Sequence, residues 1–161
     1  MAASEALQRA IQDAQAGRIE AALASVRMLA KRRPDDLEAI AVLGLLLMEA
    51  GQLDQAIHHL SRAVAMAPRL PGPRNNLANA LVNARRHEEA ERHWLAALEA
   101  DPSYARAWLG LAIARTHRHD AAGAIDAAGR GLALQPDWPE MTRTQAQALA
   151  AADRAEDAVR A

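Results

Sequence analysis

The chain of 161 residues is half apolar and a quarter charged, with no cysteine, no phenylalanine and a net charge of −1 at pH 7. A charge this close to zero gives no general drive toward nucleic acid or anionic lipid. The missing cysteines remove disulfide frameworks and thiolate chemistry. The opening MAASEALQRAIQ has no apolar leader, and the longest apolar run, Ala39 to Met48, is short against the ~18 residues of a membrane span. These features lead to the expectation of a cytoplasmic protein that engages neither membrane nor nucleic acid.

Apolar residues recur at three- and four-residue spacings from end to end, and no alternating strand pattern competes. The first pair of helices is expected near 3–16 and 19–32, broken at Gly17 and closed by the RRPDD turn around Pro34. A second pair, near 37–50 and 53–66, breaks at Gly51 and closes at Pro68. The third, near 71–84 and 87–100, breaks at Arg85–Arg86 and closes at the DP of Pro102. The fourth, near 105–117 and 121–134, breaks at His119–Asp120 and closes at the QPD of Pro136. A further helix near 139–151 should break again, with a helical stub from about 154. Glycine suits the left-handed cap that ends a helix, and proline stops one outright.

The closing prolines, Pro34, Pro68, Pro102 and Pro136, stand 34 residues apart. A period of that length marks a stacked two-helix repeat. The blocks are then 3–36, 37–70, 71–104, 105–138 and a partial 139–161, read together as one domain over 1–161. Position 20 is Ala22, Ala56, Ala90, Ala124 and Ala158, and position 8 is Ala10, Gly44, Ala78, Ala112 and Ala146. Larger side chains lie between them: Leu43, Leu77 and Leu111 at position 7, and Val26, Leu60 and Trp94 at position 24. Small residues beside large ones are what closely crossing helices require. The outer blocks depart from the pattern: Arg9 and Asp13 sit at four-residue spacing as an opposite-charge pair, and Thr142 and Gln145 replace apolar residues. The period breaks off inside a helix at Ala161, which reads as a piece of a longer protein.

These residues resemble the tetratricopeptide repeat family, through Trp108, Leu111, Ala112, Ala124 and Pro136, through Leu77, Ala78, Ala90, Trp94, Ala97 and Pro102, and through Leu43, Gly44, Ala56, Ala63 and Pro68. The resemblance implies an all-α, right-handed solenoid that binds partners and does no chemistry. It implies too that first helices line a concave groove, where Leu45, Met48, Asn75, Asn76, Asn79, Val82, Asn83, Arg106, Leu109, Ile113 and Arg143 would face a bound peptide. The stretch NNLANAL is similar to repeats of O-GlcNAc transferases, in which a ladder of asparagines grips peptide backbone. Here the equivalents of Asn76 are Gln8, Val42, Gly110 and Thr144, so the ladder is not continued.

Asn76, Asn79 and Asn83 fall on one helical face, where an amide that both donates and accepts can pair with any peptide backbone. The alternative is that these amides are solvated or bridge neighbouring helices. Leu45 and Met48 would add an apolar floor, unless a tightly curved solenoid covers them internally. Arg106 and Arg143 would receive an acidic group. The histidines (His58, His59, His87, His93, His117 and His119) have no carboxylate at a metal-site spacing, so neither metal nor cofactor is expected. No phosphate-cradling loop, nucleophile elbow or catalytic triad is present in the sequence. The function expected is a non-catalytic scaffold holding an extended peptide or partner helix. Two alternatives stand beside it: the N-terminal arm of a larger glycosyltransferase or sulfotransferase, and a homo-oligomer built through the solenoid ends.

Overall fold

The computed structural model describes the backbone of residues 2–160 and the side chains of residues 5–153. Among the described residues the chain forms nine helices and no strand: α1 Ala2–Gln15, α2 Ile19–Arg32, α3 Leu37–Glu49, α4 Leu53–Met66, α5 Pro71–Asn83, α6 His87–Ala100, α7 Ala105–His117, α8 Ala121–Leu134 and α9 Pro139–Arg160.

The turn inside each pair has one geometry. Gly17, Gly51, Arg85 and His119 all have positive φ, at 78°, 73°, 63° and 62°. In every case the following amide reaches the carbonyl five residues back: Arg18 to Asp13, Gln52 to Leu47, Arg86 to Leu81 and Asp120 to Arg115. The left-handed residue's own N–H meets the carbonyl three back, which completes a Schellman cap and satisfies carbonyls the helix leaves orphaned. Between pairs, the closing proline occupies the second place of a tight turn, with Asp36 N–H on Arg33, Leu70 on Ala67 and Tyr104 on Asp101. Asp36 and Asp120 cap α3 and α8, their carboxylates accepting from Ala39 N at 3.0 Å and Gly123 N at 2.9 Å.

Two expectations are corrected. The break and stub after residue 151 do not form, because α9 continues to Arg160. The stretch from Ala146 onward holds no glycine or proline, and alanine-rich chain prolongs a helix unless something stops it. Asp13 is also engaged differently from the expected pairing with Arg9. It accepts from Arg18 across the turn, with Nη2 to Oδ1 at 2.7 Å.

Successive helices pack antiparallel through the small positions. Ala10, Ala22, Ala56, Ala78, Ala90, Ala112 and Ala124 are fully buried. At Gly44 an added Cβ would lie 2.5 Å from Leu60 Cγ, so a hydrogen there lets α3 and α4 approach. First helices of neighbouring pairs touch one another (α1–α3, α3–α5, α5–α7, α7–α9), whereas among the described residues second helices do not. First helices therefore form the inner, concave layer, and the result is an all-α solenoid. Its core has two clusters. One is centred on Leu23, Val26, Leu43 and Leu47, the other runs from Leu60 through Trp94 to Met141, and Met48 packs against both.

Candidate functional site on the concave face

The concave face is shaped by an aromatic wedge. Trp94 of α6 is inserted between α5 and α7, only 2% exposed, and its indole Nε1 donates to Asn75 Oδ1 at 3.1 Å. Gly110 lies against the indole ring, so any side chain on that face of α7 would collide with it. Gly110 is one of the positions equivalent to Asn76. At another, Thr144 is buried and its hydroxyl donates to its own helix at Glu140 O, 2.9 Å away. Neither position presents an amide to the groove: Gly110 has no side chain and packs on Trp94, and the Thr144 hydroxyl is taken up by its own helix.

Beside the wedge lies an open hollow of about 310 Å³, lined by Asn75, Asn79, Arg106, Leu109, Gly110, Ile113, Trp138 and Glu140. Three first helices supply it. Asn79 stands exposed one turn beyond Asn75 on α5. Arg106 opens α7, with half-buried Leu109 and Ile113 following at three- and four-residue steps as a floor. Half-buried Trp138 precedes α9, and exposed Glu140 begins it. One small space thus offers an amide, a cation, an anion, an apolar floor and an aromatic wall.

Five of the residues expected at a binding site meet here: Asn75, Asn79, Arg106, Leu109 and Ile113. Asn75 is 6% exposed and its amide oxygen is taken up by the indole, so this side chain is largely committed to the fold. Val82 and Asn83 lie at a separate hollow near the turns, and Arg143 at a third with Trp138 and Thr142. Asn76, Leu45 and Met48 are half-buried and line none of the three, and Met48 joins the two core clusters. Trp138 escaped the sequence reading. Its signal was the residue just before each first helix, which becomes aromatic at Tyr104 and Trp138 where the earlier blocks have Asp36 and Leu70.

Among the described residues no three metal-ligating side chains gather, and no helix is long and apolar enough to cross a membrane. His59 and His93, 34 residues apart, each bury an Nδ1 that has no hydrogen-bond partner. Desolvation, aided at His59 by His58, Arg62 and Arg27, holds its pKa below the usual histidine value. Desolvation does the same at His93, aided by Arg74 and Arg92 and opposed by Glu89.

Two sequence patterns described as tetratricopeptide repeat match the chain, at residues 47–93 and 75–140. The TPR repeat-containing thioredoxin TTL4 of Arabidopsis thaliana is 38% identical over 77 residues, covering 48% of this chain. The chain spans 11% of that protein's length. Among solved structures, a thermophilic TPR protein of Thermus thermophilus superposes with a TM-score of 0.80 at 24% identity, over 96% of this chain and 90% of that one. The O-GlcNAc transferase of Thermobaculum terrenum superposes with a TM-score of 0.73 at 30% identity, over 81% of this chain but 25% of its own.

Proposed function

The chain belongs to the tetratricopeptide repeat family, and from that membership we propose that its concave face holds an extended segment of a protein partner at the hollow between α5, α7 and α9. A repeat scaffold for protein–protein interaction is the function its family and fold support. The observation that carries the finer reading is the mixture of groups in that hollow. Asn79 can donate to and accept from a peptide backbone whatever its sequence. Leu109, Ile113 and Trp138 form a surface for one apolar side chain, and at about 310 Å³ the space suits a side chain better than a helix. Arg106 and Glu140 flank it with opposite charges, which would fix the direction in which a peptide lies.

The test is a selection from a random peptide library with the chain as bait, followed by affinity measurement on the selected peptides. The double variant Asn79→Ala, Arg106→Ala should weaken them at least tenfold with its helical circular dichroism unchanged. Peptides that bind the double variant as tightly as the parent would sink the assignment.

A second reading is favoured by the lengths of the relatives. The chain matches about a tenth of the plant thioredoxin and a quarter of the bacterial transferase. In that reading the same groove presents partners to a catalytic domain elsewhere in a longer polypeptide, which the sequence of the complete gene would show.

A further inference from the structure

Apart from the concave hollow, a second hollow of about 450 Å³ opens where α5 and α7 end, lined by Val82, Asn83, Arg85, His87, His117 and Arg118. Its lining holds two guanidinium groups, two imidazoles and an amide, and no carboxylate. It is built by three separated segments: the end of α5 with its Schellman turn, the first residue of α6, and the last turn of α7.

The negative ends of α5 and α7 account for some positive charge nearby. They do not account for Arg85. This residue sits in the left-handed region at φ 63°, where the equivalent positions hold Gly17, Gly51 and His119. A side chain there is strained, and glycine would adopt the same turn freely. Two of the four turns keep this strain, at Arg85 and at His119, and a strained backbone position is a reason to look for what its side chain does. Among the described residues Arg85 makes no ion pair. Its guanidinium has all five donors available. Across the hollow, Arg118 is held by Glu91, which bonds one of its terminal nitrogens and lies outside the lining. The pairing fixes Arg118 in place and leaves the rest of its fork free.

We propose that this hollow is a binding site for a phosphate group, with Arg85 and Arg118 as its two charge partners and His87, His117 and Asn83 as further donors. The charge has the right sign: a phosphate monoester carries close to two negative charges at neutral pH, Arg85 has no carboxylate partner among the described residues, and Arg118, paired with Glu91, still presents its remaining donors. The donor number matches as well, since planar guanidinium forks pair bidentately with tetrahedral oxyanions. The group can come from free phosphate or from a phosphorylated side chain of a partner, and the chemistry is the same. The proposal does not depend on how the concave hollow is used.

Isothermal titration calorimetry at low ionic strength tests it with three probes: inorganic phosphate, an alanine-rich decapeptide carrying one phosphoserine, and the same peptide with glutamate in its place. Binding of phosphate alone identifies the free anion as sufficient. Binding of the phosphopeptide alone identifies a modified side chain. Either supports the site, provided that Arg85→Gly and Arg85→Gln each weaken it at least tenfold and Arg130→Gln, remote from the hollow, does not. Arg85→Gly should also unfold at the same or a higher temperature than the parent, which separates lost binding from lost fold. Equal binding of the glutamate peptide overturns the phosphate assignment. So does failure of both phosphate probes to bind, or undiminished binding to the two Arg85 variants.

Discussion

The indole nitrogen of Trp94 donates to the side-chain oxygen of Asn75 across 3.1 Å, inside the seam between α5 and α6. This bond and the bare face of Gly110 hold the ring in one position, and the ring in turn sets the spacing of α5 and α7 behind the concave hollow. Asn75→Ala should cost about 1–3 kcal/mol, because it leaves a buried N–H without an acceptor. Gly110→Ala should cost about 1–3 kcal/mol through overpacking against the indole. Combining Gly110→Ala with Trp94→Leu should cost less than the sum of the two changes, since the smaller side chain makes room for the methyl. Urea denaturation of the three variants and the double variant measures the coupling.

The four left-handed turns predict opposite responses to similar substitutions. Gly17→Ala and Gly51→Ala should each destabilise by about 1–2 kcal/mol, although nothing lies within 4 Å of the added methyl, because the cost is in the backbone. His119→Gly should stabilise by up to about 1 kcal/mol for the converse reason, offset in part by glycine's greater freedom in the unfolded chain. Thermal unfolding followed by circular dichroism distinguishes the two directions.

Acid should weaken the fold through His59 and His93. Both have folded-state pKa values lowered by burial and neighbouring cations, so the unfolded chain takes up protons first. Stability from these groups is therefore complete above the unfolded histidine pKa of about 6.5, and is lost as pH falls through that value toward the lowered folded ones. A proton added at the buried Nδ1 would meet no acceptor and would face Arg27 and Arg62 at His59, or Arg74 and Arg92 beside Glu89 at His93. The midpoint of urea unfolding should fall between pH 7 and pH 5, and His59→Gln with His93→Gln should flatten that slope.

Glu91 ties two segments of the solenoid together. Its carboxylate, on a side chain 14% exposed, accepts from Arg115 Nε at 3.1 Å and from Arg118. Glu91→Gln should lower stability by about 1–3 kcal/mol, the scale of hydrogen bonds to a charged group. Much of that loss should persist in high salt, because the pair is shielded from solvent.

The helices were legible because their ends are written locally. The cap residue, the closing proline and the three-to-four spacing lie within a few positions of each boundary, and eight helices begin and end within about two residues of the expected places. The ninth overran, since the cue for its break was a period and no residue at Asp153 enforces one. The candidate groove residues were legible only in part. The groove positions implied by the resemblance to the family include Arg106, Leu109 and Ile113, which line one hollow, because a position in the repeat fixes which way a helix face turns. Repeat position could not show that Asn75 is occupied by Trp94, 19 residues further on, or that Met48 joins two core clusters. Those facts depend on how deeply one side chain enters a neighbouring pair.

The layering has a mechanical consequence. Inner helices abut from α1 to α9, while among the described residues the outer helices make no close backbone contact with one another. A slight straightening of the arc can bring the outer helices closer while the inner row, acting as the hinge line, stays in contact. The arc is therefore softer to bending than to sliding of one helix along another, which would break the small-to-large fit at Gly44, Gly110 and Gly131. A ligand that needs a wider or narrower channel would be accommodated by curvature, with each pair moving as a rigid link.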